Sequence, residues 1–290
     1  MNIWNIFTRG LSDSLKHYRL IIYLWTGNLL FALSAVLPLY AFVQSNFGHS
    51  LVTDNMLEKF SLYWLSDIVL MLKDYQPLVW WPMIIAGLLF LLLQIYFNGA
   101  VLGSLNSWLE EDSLSGFFGS GGRFFGKFFR LFLLTLPLYL IALLVLPALI
   151  DIIFSAYVDN AVNEWPGYYV FFLKIFFMVI VFTWVNMLAD YAKIVLVQDE
   201  KIGVFKALSE AARFLIKRFF VAWGLYWLLV VFFLLISVIY METENLIRAD
   251  SVLLILGVFI LQQLYILSRF WVKVQFYSDQ MEFYLANNAF

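Results

Sequence analysis

Apolar residues run through this chain in long blocks, and the polar residues gather between the blocks instead of alternating within them. Six blocks reach the roughly 20 residues that a helix needs to cross a bilayer. They lie at 20–44, 80–105, 131–157, 167–190, 219–240 and 252–277. A stretch such as Leu140-Ile141-Ala142-Leu143-Leu144-Val145-Leu146 has no two-residue alternation, so it does not suit a barrel strand. Helices remain, because backbone groups in lipid must be satisfied within their own segment. The pattern predicts an all-α polytopic membrane protein, with one transmembrane domain over 1–290 and six transmembrane helices.

Three of the intervening segments look alike. Phe7–Arg19 reads FTRGLSDSLKHYR, Phe118–Arg130 reads FGSGGRFFGKFFR and Phe205–Lys217 reads FKALSEAARFLIK. Each opens on Phe, carries a basic residue twelve positions later and runs directly into an odd-numbered span. In the third, Phe205, Leu208, Ala212, Leu215 and Ile216 recur at helical spacing opposite Lys206, Glu210, Arg213 and Lys217. That is the pattern of a basic amphipathic helix at a membrane surface, its cations near anionic headgroups. We read three copies of one unit, at about 4–105, 114–190 and 204–280, each a short amphipathic helix followed by a span out and a span back. Such copies are parallel, related by an axis along the membrane normal. Inverted repeats, which supply many transporters with two gates, have the opposite parity. A further surface helix is predicted at about Phe60–Leu72, where Phe60, Trp64, Ile68 and Met71 form one stripe too short to cross.

Composition and charge sharpen this picture. Hydrophobic residues make up 63% of the 290 positions and charged residues 13%, too few to cover a water-facing surface. Fourteen of the 18 Lys and Arg fall in the N-terminal segment, in the loops around 106–130 and 191–218, and at the end of the sixth span, whereas the acidic residues divide evenly. The basic side is therefore expected to be cytoplasmic, with both termini on it. The net charge of −2 points to no nucleic-acid partner. With no Cys, thiolate chemistry is excluded. His17 and His49 fall on opposite predicted sides, which speaks against a metal site or a His-based triad, and no cofactor is expected.

Gly121–Lys127 fits G-x-x-x-x-G-K, but Phe128 stands where a P-loop needs Ser or Thr and no strand precedes it. These glycines are read as bending a short helix or letting it pack closely. The acidic runs Glu110-Glu111-Asp112 and Asp199-Glu200 are read as favourable charge near helix N-termini. The candidate site is the set of polar residues near the predicted cytoplasmic ends of spans: Asn98, Asn186, Asp190, Lys193, Arg269 and Lys273. Charge inside a membrane helix is costly and faces a partner or a wet cavity. Asp190 is expected to pair with Arg269 or Lys273 across spans; Lys193, one turn further on, competes for it.

The stretch Ala189-Asp-Tyr-Ala-Lys-Ile-Val-Leu-Val-Gln-Asp-Glu-Lys201, followed by Phe205-Lys-Ala-Leu-Ser-Glu-Ala-Ala-Arg-Phe214, has a distinctive order: a span end, an acidic turn, an F-K-A-L-x-x-A helix and a new span. Together with Asn98-Gly-Ala-Val-Leu-Gly103, it resembles a broad group of bacterial six-span proteins. That group includes the membrane domain attached to some glycerophosphodiester phosphodiesterases. The resemblance implies a stand-alone protein of the bacterial cytoplasmic membrane. It carries over no catalytic residues, because the soluble phosphodiesterase domain has no counterpart here.

The first functional expectation is a non-enzymatic membrane scaffold or accessory subunit that contacts lipids and a membrane protein partner or further copies of itself. The alternative is a small-solute or lipid-related transporter with a polar cavity near the cytoplasmic side.

Overall fold

A computed structural model of the chain describes residues 3–47, 76–106, 113–247 and 251–288. The surface helix expected near Phe60–Leu72 and the Glu110-Glu111-Asp112 run lie outside these residues. Among the described residues every regular element is a helix, and six helices are long and apolar enough to cross a membrane. This is a multi-pass membrane protein.

In chain order the helices are α1 (Ile3–Lys16), α2 (Tyr18–Phe47), α3 (Gln76–Asn106), α4 (Leu114–Leu140), α5 (Leu146–Asp159), α6 (Trp165–Gln198), α7 (Val204–Lys217), α8 (Phe219–Leu246) and α9 (Val252–Asn288). Two 14-residue helices, α1 and α7, precede long apolar ones, with breaks at His17 and Arg218.

The segment expected to be a separate second amphipathic helix is instead continuous with its span. Its buried residues Phe117, Gly121, Phe124, Phe128, Leu131 and Thr135 form one stripe that passes the expected junction in phase. With the stripe unbroken, nothing favours a turn there. The G-x-x-x-x-G-K stretch is accordingly ordinary helix, capped by Ser113, whose hydroxyl accepts from the Gly116 N–H at 3.1 Å.

Between α4 and α5 the helix widens into a π-turn at Ile141–Val145. Pro147 follows two residues later. It has no N–H to offer a carbonyl four residues back, and a wider turn shifts the hydrogen bonds past that gap.

The chain divides into two compact units. Residues 22–95 form one, a helical hairpin of α2 and α3. Asn28 and Gln94 hold its two arms together, the Gln94 amide donating to Asn28 Oδ1 at 2.7 Å, and Phe31 lies 5.5 Å from Phe90.

The other unit holds 1–21 and 96–290. Its core sits at the end where Lys and Arg concentrate, and we call this the basic end. There the last turns of α3 bury Phe97, Ala100, Val101 and Leu102. The second half of α6 buries Tyr191, Ile194 and Leu196, and the second half of α9 buries Val274, Met281 and Phe283. The first halves of α6 and α9 are mostly exposed apolar surface, as befits helices that meet lipid.

Each amphipathic segment packs on one of those buried helix ends. Gly121 of α4 lies against the Tyr96 ring and Gly99 of α3 against Phe124. Phe214 of α7 lies 5.2 Å from the Tyr191 ring of α6. On α1, Gly10 meets the Asp279 carboxylate of α9, and Ser14 accepts from Trp271 Nε1 at 2.9 Å. Small residues permit these close approaches.

Candidate functional site

Helical spacing builds a polar cleft between α6, α8 and α9. On α6, Asn186, Asp190 and Lys193 are four and three residues apart and share a face. On α9, Arg269, Lys273 and Phe276–Tyr277 follow the same rule, as do Tyr226 and Phe233 on α8. Together they enclose an open cleft of about 350 Å³, lined by Asn186 and Asp190, by Tyr226 and Phe233, and by Arg269, Val272, Lys273, Phe276 and Tyr277.

Of the partners expected for Asp190, the ion pair formed is with the competitor Lys193, not with Arg269. Asp190 Oδ1 is 2.9 Å from Nζ of Lys193, one turn along the same helix. A pair three residues apart needs no further ordering of two helices, so the local partner wins. Both side chains are about one-fifth exposed, Lys193 at 18% and Asp190 at 20%, so the pair is partly desolvated. The Lys193 ammonium also sits 5.9 Å from the Tyr277 ring centroid, within cation–π range. Arg269 is exposed at the cleft, and Lys273 follows one turn later.

Four of the six expected site residues, Asn186, Asp190, Arg269 and Lys273, line this cleft; Lys193 belongs to it through Asp190. Asn98 does not. It sits among the last turns of α3, with its Oδ1 buried and without a hydrogen-bond partner. Nearness to the predicted cytoplasmic ends of spans put these residues at a similar level but not on one surface.

Sequence reasoning missed the aromatic part of the site. The Tyr139 hydroxyl donates to Asn186 Oδ1 at 2.6 Å, fixing the amide from the α4 side. Tyr226, Phe233 and Tyr277 read as ordinary apolar positions, and only the i, i+7 phase of Tyr226 and Phe233 hints at a shared face. Asp279 was also missed: it is fully buried, with neither carboxylate oxygen hydrogen-bonded.

Glu200 lies four residues before α7, and its side chain is engaged by another helix. Arg123 pairs with it, Nε donating at 2.8 Å, and Lys127 donates to its backbone carbonyl. The residue that caps α7 is Gly203, without a side-chain bond.

Chemically, the cleft offers one carboxylate engaged by a lysine, further cations, and amide and phenol groups able to donate or accept. Among the described residues no three His, Asp or Glu side chains gather into a group that could hold a metal ion. The arrangement suits binding and orienting a polar group at the edge of an apolar layer. No family model, no curated protein and no solved structure matches this chain.

Proposed function

We propose that the protein is a small-solute or lipid-related transporter of the bacterial cytoplasmic membrane, non-enzymatic, with both termini in the cytoplasm. The observation that carries this reading is the open cleft that brings Asn186, Asp190, Arg269 and Lys273 together. Charged and polar groups inside membrane helices are expensive, and grouping them around a space favours a passenger over simple helix adhesion. Copies that share one orientation do not supply an inverted pair of gates. The route we favour is therefore lateral, from the lipid layer into the cleft. The concentration of Lys and Arg at the end that holds α1, α7 and the end of α9 supports the orientation.

Liposomes containing only this protein test the proposal. Uptake or lipid transfer above protein-free vesicles, lost in Arg269→Gln, is expected. Background rates for every solute and lipid class would end it.

A second reading, a scaffold or accessory subunit, draws on a different feature. Trp165, Tyr168, Tyr169, Phe172 and Phe176 form an exposed stripe along one face of α6. A partner helix or a second copy would cover such a stripe. Co-purification that is lost when Phe172 and Phe176 become Leu would favour it, and a solitary monomer under mild extraction would not.

A further inference from the structure

We infer that the cleft between α6, α8 and α9 binds the phosphate of an anionic membrane lipid, with the acyl chains lying outside it. The inference rests on the cleft being the working site. It names the ligand class, which that reading leaves open.

Charge comes first. Asp190 is engaged by Lys193 at 2.9 Å, so its carboxylate does not serve Arg269. Arg269 and Lys273 stand four residues apart on one face of α9 and line the same space. Arg269 is exposed there, and two basic residues at that spacing make the space favourable for an anion. A guanidinium matches two phosphate oxygens at once, and an ammonium adds a point charge. The Asn186 amide and the Tyr226 hydroxyl face the same space and can donate to further oxygens.

Depth comes second. Arg269 lies 17 residues beyond Val252, the first residue of α9. At 1.5 Å per residue that is about 25 Å along the helix. A hydrocarbon layer of about 30 Å places Arg269 near its far edge, where phosphates reside. Basic pockets between helices at this level are suited to anionic headgroups.

Shape comes third. Phe233, Val272 and Phe276 line the cleft beside the cations. At about 350 Å³ the cleft admits a headgroup but not two acyl chains. The contacts that tie α6 to α8 and α9 include Trp184 with Phe219, Tyr191 with Phe283 and Lys193 over Tyr277, all in the last half of α6. The first halves of α6 and α9 expose Phe172, Phe176, Ile260 and Leu264, apolar surface against which chains can lie. A phosphate held by an amphiphile thus fits both parts of the surface, whereas free phosphate uses only the cations.

The test is native mass spectrometry of the full chain released from mixed nanodiscs of phosphatidylglycerol and phosphatidylcholine, with transfer between vesicles measured in parallel. Phosphatidylglycerol should be retained about tenfold or more over phosphatidylcholine, as two basic contacts suggest. Arg269→Gln with Lys273→Gln should abolish that preference, whereas Lys201→Gln, in an exposed turn, should leave it intact. Equal retention of the two lipids by the unaltered protein would overturn the inference, whether or not the variants fold. Displacement of phosphatidylglycerol by millimolar inorganic phosphate would also overturn it, assigning the site to free phosphate. Lipid preference without transfer between vesicles would end the transport reading alone; transfer without preference would end this inference alone.

Discussion

Gly10 stands directly against the carboxylate of Asp279, and a Cβ placed at position 10 would overlap that carboxylate. Asp279 is fully buried, so its side chain has little room to withdraw. Arg9, beside Gly10, reaches Glu282 at 3.4 Å, one turn beyond Asp279. The contact pins the first helix of the chain to the last.

Gly10→Ala should therefore destabilise the protein by about 1–3 kcal/mol, the usual cost of forcing atoms into a packed interior. Thermal unfolding in detergent checks this, with Gly119→Ala as the control. Gly119 lies inside α4, nothing stands within 4 Å of its would-be Cβ, and alanine there should be neutral or stabilising by up to about 1 kcal/mol. Repeating Gly10→Ala in an Asp279→Ala background should remove most of its cost. Equal melting of all the single variants would show that the contact does not matter.

Asp190→Asn should destabilise by about 1–3 kcal/mol, because it strands the Lys193 charge in a partly desolvated place. Adding Lys193→Gln should recover part of that loss, and adding Arg269→Gln should not. Recovery with Arg269→Gln instead would reinstate a pair across spans.

Asn28 and Gln94 are the contrasting case. Their hydrogen bond joins the two arms of the 22–95 hairpin at 2.7 Å. Asn28 also donates to the Leu24 carbonyl of its own helix at 2.7 Å. Hydrogen bonds between membrane helices contribute about 0.6 kcal/mol on average, so Gln94→Leu should shift unfolding only slightly and leave any transport unchanged. A loss of flux with normal folding would move the working site into this hairpin.

Reporters fused after Phe47 and Val162 should be active outside the cytoplasm, and those after Ser113 and Lys201 inside it. A cytoplasmic signal after Val162 would break the six-span arrangement, since that residue follows α5 and precedes α6.

The spans were legible because lipid demands long apolar runs and little else produces them. The packing of α4 was less so. Gly121 and Phe124 look like part of a Gly- and Phe-rich surface segment, yet the stripe that ends at Leu131 and Thr135 makes one helix of segment and span. The choice between Lys193 and Arg269 as partner of Asp190 could not be made from depth alone, since depth orders residues along the membrane normal and says nothing about helix rotation. The phenols of Tyr139 and Tyr226 stayed hidden for the same reason. Their roles depend on which face of α4 and α8 turns toward α6.

The contact between Gly10 and Asp279 has a consequence for how the protein is made. Arg9 and Glu282 are separated by 273 residues. At about 5–20 residues per second, the ribosome needs roughly 14–55 s to supply the partner that α1 requires. Throughout that interval Gly10 and Ser14 have no α9 to meet. α1 is thus made long before the helix that secures it, and a nascent chain cut short before α9 leaves it unanchored. Loss of the part of α9 that carries Trp271, Asp279 and Glu282 should therefore expose α1 to proteolysis, so that cleavage there reports on whether α9 has been made.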